Sequence, residues 1–180
     1  MPETAKATEL RINIHGLALP SGIRIADVNL IFPQIALQFS PFMVPEGTRV
    51  NASIVVSASD IQQYLNQKSP GGISNFRVTT DNGKIQIVGQ AKVLIPMEIG
   101  AEGVLNYEDG KLNFVPLRAE IAGAKAPDGL VKDQIDKINP IFDLTSLPLT
   151  ADVKSIEIGN GEINLEGSVV LTAPIPRIEP

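Results

Sequence analysis

From Lys84 onward, apolar or small residues fall on odd positions, Ile85, Ile87, Gly89, Ala91, Val93 and Ile95, and polar ones on the even positions Lys84, Gln86, Gln90 and Lys92. The same alternation returns at Ile163, Leu165, Gly167, Val169 and Leu171 against Glu162, Asn164, Glu166, Ser168 and Thr172. A period of two turns successive side chains to opposite faces, so both stretches predict antiparallel strands with one apolar face. The two runs share a register. Asn82 and Asn160, Gly83 and Gly161, Ile85 and Ile163, Gly89 and Gly167, and Pro96 and Pro174 all stand 78 positions apart. Each is preceded by an incoming strand, Phe76 to Thr80 or Val153 to Ile158, joined through Asn-Gly, the pair favoured in two-residue type I′ turns. Asp109-Gly110 predicts a third hairpin.

Ahead of each repeated hairpin the period changes. In SASDIQQYLNQ, Ser59 predicts the cap, Asp60 falls in the first turn, and Ile61, Tyr64 and Leu65 are spaced i, i+3, i+4. In PDGLVKDQIDKINP, Val131, Ile135 and Ile138 are spaced i, i+4, i+7, and Asn139-Pro140 ends the helix. Strand, helix and hairpin are therefore written twice, over about 48–96 and about 111–174. Earlier segments, ELRINIHGLAL, SGIRIADVNLIF, QIALQFS and TRVNASIVVSA, predict further strands bent or ended by Pro20, Pro33, Pro41 and Pro45. The outgoing strands, Lys84 to Ile95 and Glu162 to Thr172, would each run roughly 35–40 Å, about twice the usual length. Strands that long must bend, and Gly89 and Gly167 mark where a side chain would collide on the inner side. The expectation is one α+β domain over 8–174, between a flexible start at 1–7 and a tail at 175–180. It is a long, strongly curved, mainly antiparallel sheet with two helices on its concave face.

Composition removes several function classes. The chain has 180 residues, a net charge of −5 and 4% aromatic residues, so it lacks both the basic stripe and the stacking platforms of a nucleic-acid binder. Without cysteine it forms no disulfide, thiolate metal site or cysteine nucleophile. The most apolar run, Val28 to Phe39, is interrupted by Asn29, Pro33, Gln34 and Gln38 and is too short to span a bilayer. The start, MPETAKATELRIN, has no charged region followed by an apolar core, so no signal peptide is read there. The single histidine, His15, is marked by neither an orienting acid nor a nucleophile and reads as structural. The acidic turns lack the alternating ligands of a calcium loop, and SPGGIS lacks the lysine and helix of a phosphate-binding loop. No catalytic residue, metal or cofactor is expected. What remains is apolar provision, notably Ile141, Phe142, Leu144, Leu147 and Leu149 in INPIFDLTSLPLTADV. That run reads either as an arm closing the core or as the lip of an apolar cavity.

The order SASDIQQYLNQ, ISNFRVTTDNGKIQIVGQAKV, GVLNYEDGKLNFVP, INPIFDLTSLPL and VKSIEIGNGEINLEGSV resembles the LmeA-like phospholipid-binding family over roughly Thr8 to Thr172. The resemblance implies phospholipid binding in the bacterial cell envelope or periplasm, with peripheral membrane contact. It brings no catalytic residues. By looser analogy with tubular lipid-binding domains, an acyl chain would lie between sheet and helices. Its lining would be Ile85, Ile87, Val93, Ile163, Leu165, Val169, Leu130, Ile135, Phe142 and Leu147. The alternative is an assembly module with a fully packed core that binds a partner protein through its strand edges or acidic face.

Overall fold

The alternation seen in the sequence becomes two antiparallel ladders rather than one. The computed structural model describes residues 4–39, 42–44, 46–92, 96–145, 149–172 and 175–176. In chain order come β1 (Thr4–Ala18), β2 (Arg24–Phe39), β3 (Phe42–Val44), β4 (Arg49–Ser57), α1 (Ala58–Lys68), β5 (Ile73–Asp81) and β6 (Lys84–Lys92). They are followed by β7 (Pro96–Glu108), β8 (Lys111–Ile121), β9 (Ala124–Lys125), α2 (Asp128–Ile138), β10 (Phe142–Asp143), β11 (Leu149–Ile158), β12 (Glu162–Leu171) and β13 (Ile175–Pro176). The first sheet is ordered β11-β12-β4-β2-β3-β13, with β1 also paired to β2. The second is ordered β10-β8-β7-β6-β5, with β9 paired to β8. The described strands do not close into a barrel.

One expectation is corrected by the strand order. A single continuous sheet was expected, but the repeated hairpins belong to different sheets: β5–β6 to the second and β11–β12 to the first. Alternation reports which face of a strand is apolar and is silent about its neighbours. Residues 4–7 belong to β1 and pair with Ile35 to Gln38. Ile175 and Pro176 of the expected tail likewise pair with β3.

The two repeated hairpins meet at their tips. The Gly83 amide donates to the Ile158 carbonyl at 3.1 Å, and the Gly161 amide donates to the Thr80 carbonyl at 3.2 Å. Behind the tips Ile85 and Ile163 are both 0% exposed. Asn82 and Gly83 have φ of 50° and 78°, the left-handed pair a type I′ turn requires, and Asp109 and Gly110 repeat it at 50° and 79°. The second copy departs from the prediction: at its tip only Gly161 takes a positive φ, 84°. Both backbone groups of Gly161 are engaged, its amide by Thr80 and its carbonyl by the Ala58 amide, so tertiary contacts set this turn.

Gly89 and Gly167 mark irregular points of their ladders. Each stands opposite a bulge in the neighbouring strand, at Asn75–Phe76 in β5 and at Lys154 in β11. Gly103 stands opposite a third, at Leu117 in β8. A Cβ on Gly167 would lie 2.2 Å from the Asp152 carbonyl oxygen, and one on Gly103 2.2 Å from that of Val115. Gly103 and Gly167 admit the backbone that a bulge pushes toward them, whereas Gly89 makes room for the side chains of Ile73 and Phe76.

The helix caps follow the local chemistry with one shift. Ser57, rather than Ser59, caps α1: its Oγ accepts from the Asp60 amide at 3.0 Å and donates to Asp60 Oδ2 at 2.5 Å. Instead of lying over the face of the sheet, α1 bonds the open edge of β5. Gln62 Oε1 accepts from the Val78 amide at 3.1 Å, and Asn66 accepts from the Phe76 amide at 2.8 Å while donating to its carbonyl at 3.0 Å. At the end of α2, Asn139 repeats the clasp on Phe114, accepting from its amide at 2.8 Å and donating to its carbonyl at 2.9 Å. Ile61 and Leu65 of α1 and Ile135 and Ile138 of α2 join one apolar core with both sheets.

Candidate functional site: two apolar cavities and a polar cleft

The inner faces are packed where the hairpin tips meet and open on either side. The first cavity, about 200 Å³, lies between β5–β8 and α2. Its walls are Phe76, Ile87, Ile99, Phe114, Val131, Ile135 and Ile138, and its floor is small, with Gly89, Ala91, Gly100, Ala101, Ala119 and Ala126. The space persists because these floor residues carry too little side chain to fill it. Few polar groups reach it. One is Gln134, whose Oε1 is buried without a hydrogen-bond partner among the described residues.

Beside this cavity runs a polar cleft of about 650 Å³, bounded by β8, β9 and α2. Ala119, Glu120, Ala126, Val131 and Ile135 line both spaces, so the apolar and polar volumes adjoin. The cleft carries Arg118, Lys125 and Lys132 together with Glu120 and Asp136. Arg118 is ion-paired to Glu120, and Lys132 donates to Asp136 at 2.5 Å, which raises the Lys132 pKa above its ordinary value. Two exposed apolar side chains stand around these spaces, Leu117, 60% exposed, on the cleft and Met97, 37% exposed, on the cavity, while the exposed Val115 lines neither.

A second cavity, about 190 Å³, lies on the inner face of the first sheet. It is bounded by Leu30 and Phe32 of β2, Ala52 of β4, Leu165 and Val169 of β12, and Phe142 of β10. The expected lining residues therefore divide. Ile87 and Ile135 line the first cavity, whereas Leu165, Val169 and Phe142 line the second. Ile85 and Ile163 line neither, being sealed in the core behind the hairpin tips. Val93, Leu147 and the side chain of Leu130 lie outside the described residues. The sequence reading passed over Phe114, Ile99 and the β2 residues, although their alternation could have placed them on an inner face. The cleft cations had no such signal, since they come from three separate elements. His15 sits on the wet face of β1, with Nδ1 hydrogen-bonded to Asp27 directly across the ladder.

No curated protein and no solved structure matches the chain. Because the LmeA-like phospholipid-binding family matches residues 5–168, nearly the whole chain, the protein belongs to that family.

Proposed function

We propose that the protein binds a phospholipid non-catalytically, one acyl chain lying in the cavity under α2 and the headgroup in the adjoining cleft. The observation that carries this is the contact of a small-floored apolar cavity with a cleft bearing Arg118, Lys125 and Lys132. An amphiphile has the same division, with hydrocarbon that gains by leaving water and a phosphate that gains from nearby cations. Each methylene transferred contributes about 0.8 kcal/mol before binding costs. The cavity falls below the roughly 300–1,000 Å³ of a drug-sized ligand site, so it takes part of a chain at a time. Leu117 and Met97 would meet a membrane surface during uptake, and the proposed setting is the bacterial cell envelope.

Native mass spectrometry after lipid extraction and reloading with phosphatidylglycerol tests this reading. The wild type takes up lipid, and Ala101→Phe, which fills the floor, reduces uptake at least tenfold. Wild type without uptake, or unchanged uptake in a folded Ala101→Phe protein, refutes it.

A further inference from the structure

We infer that the cavity on the first sheet is a second hydrocarbon-chain site, loaded independently of the cavity under α2. Most of its boundary comes from elements with no part in the first site, through Leu30 and Phe32, Ala52, Leu165 and Val169, and β7 and β8 add Tyr107 and Leu112. Among the described residues, the two cavities share no lining residue. Along β8 the change comes within two positions, about 7 Å of strand: Leu112 faces the second space and Phe114 the first. Both are buried, and Phe114 is held through its own amide and carbonyl by Asn139. On β7 the buried Leu105 stands between Ala101 of the first cavity and Tyr107 of the second. A packed partition therefore divides the interior into two chambers in line.

The chemistry of the second chamber narrows its ligand. Among the described residues, no polar atom of its wall is exposed to the space. The Tyr107 hydroxyl is engaged, donating to the Ala151 carbonyl at 3.2 Å. Water entering would find no partners, and apolar cavities of about 150 Å³ stay dry and admit hydrocarbon. At about 190 Å³ the chamber meets that size. With no group to recognise a headgroup, it selects a chain alone, either a second chain of a lipid seated in the first cavity or the chain of a separate molecule.

Decanoic acid separates the chambers, and a diacyl phosphatidylglycerol separates the two sources. In native mass spectrometry the delipidated wild type binds two decanoates. Ala52→Phe, which fills the second chamber, binds one, Ala101→Phe binds one, and the double variant binds none. Ala151→Leu replaces Ala52→Phe should that protein not give a native circular dichroism spectrum. A single decanoate lost in Ala101→Phe but unchanged in Ala52→Phe overturns the second site and leaves the proposed function standing. Two decanoates lost only through Ala52→Phe would instead overturn the proposed seat under α2. With the diacyl lipid, one molecule weakened by either single variant means that its chains occupy both chambers. Two molecules, each lost with one variant, mean separate ligands.

Discussion

Asn66→Ala removes the clasp between α1 and the edge of β5. The Asn66 amide satisfies both backbone groups of Phe76, at 2.8 and 3.0 Å. Two hydrogen bonds at about 1 kcal/mol each set the loss near 2 kcal/mol, and water reaching this exposed position holds it toward the lower end. Alanine is the better helix former by a few tenths of a kcal/mol, which also trims the effect. For a chain of this size, ~2 kcal/mol lowers Tm by about 4–8 °C. Thermal unfolding followed by circular dichroism measures it, with Gln63→Ala on the same helix as the control for propensity. Asn66→Asp keeps the acceptor for the Phe76 amide but sets an oxygen against the carbonyl, so it loses at least as much. Asn139→Ala breaks the matching clasp on Phe114 at a less exposed position and loses more than Asn66→Ala. An Asn66→Ala protein that melts with Gln63→Ala would mean the clasp contributes nothing, and the reasoning would fail.

The other predictions concern a bulge and a half-buried phenol. Gly167→Ala forces a Cβ against the Asp152 carbonyl oxygen and the Val153 Cα, which are backbone atoms with little freedom to yield. The β11–β12 ladder opens there, amide exchange at Ser168 and Val169 rises at least tenfold, and unchanged exchange contradicts the bulge account. Desolvation first, and then the charge of Asp152, raise the Tyr107 pKa. Above about pH 10 the unfolded chain loses that proton while the folded chain keeps it, so folding stability falls as pH rises through the folded pKa. Tyr107→Phe flattens the fall in Tm between about pH 9 and pH 11. Equal slopes in the two proteins would exclude Tyr107 as the cause.

Much of the candidate site was legible as faces. The odd positions of β6 and β12 do point inward, and Ile87, Leu165 and Val169 reach the cavities from them. Ile85 and Ile163 share those faces and are sealed off, because they lie beside hairpin tips that bond to each other across the two sheets. No local pattern encodes that meeting. Arg118, Lys125 and Lys132 were equally illegible, since a charge on a wet face looks the same whether it faces solvent or adjoins an apolar opening.

The amino-acid order alone determined properties that depend on a few neighbouring residues: the parity of the repeated strands, Asn82-Gly83 and Asp109-Gly110 as turns, and the C-terminal end of α2. Sterics and local hydrogen bonds act over that range, so they can be read in sequence. Which strands became neighbours was decided only when distant segments competed for the same edges. That competition split the repeated hairpins between two sheets, set glycines opposite bulges, and divided the apolar interior into a packed middle and two cavities. Close packing makes the difference. Whether an isoleucine seals a core or lines a cavity depends on the volume of the side chains facing it, and those arrive from elsewhere in the chain.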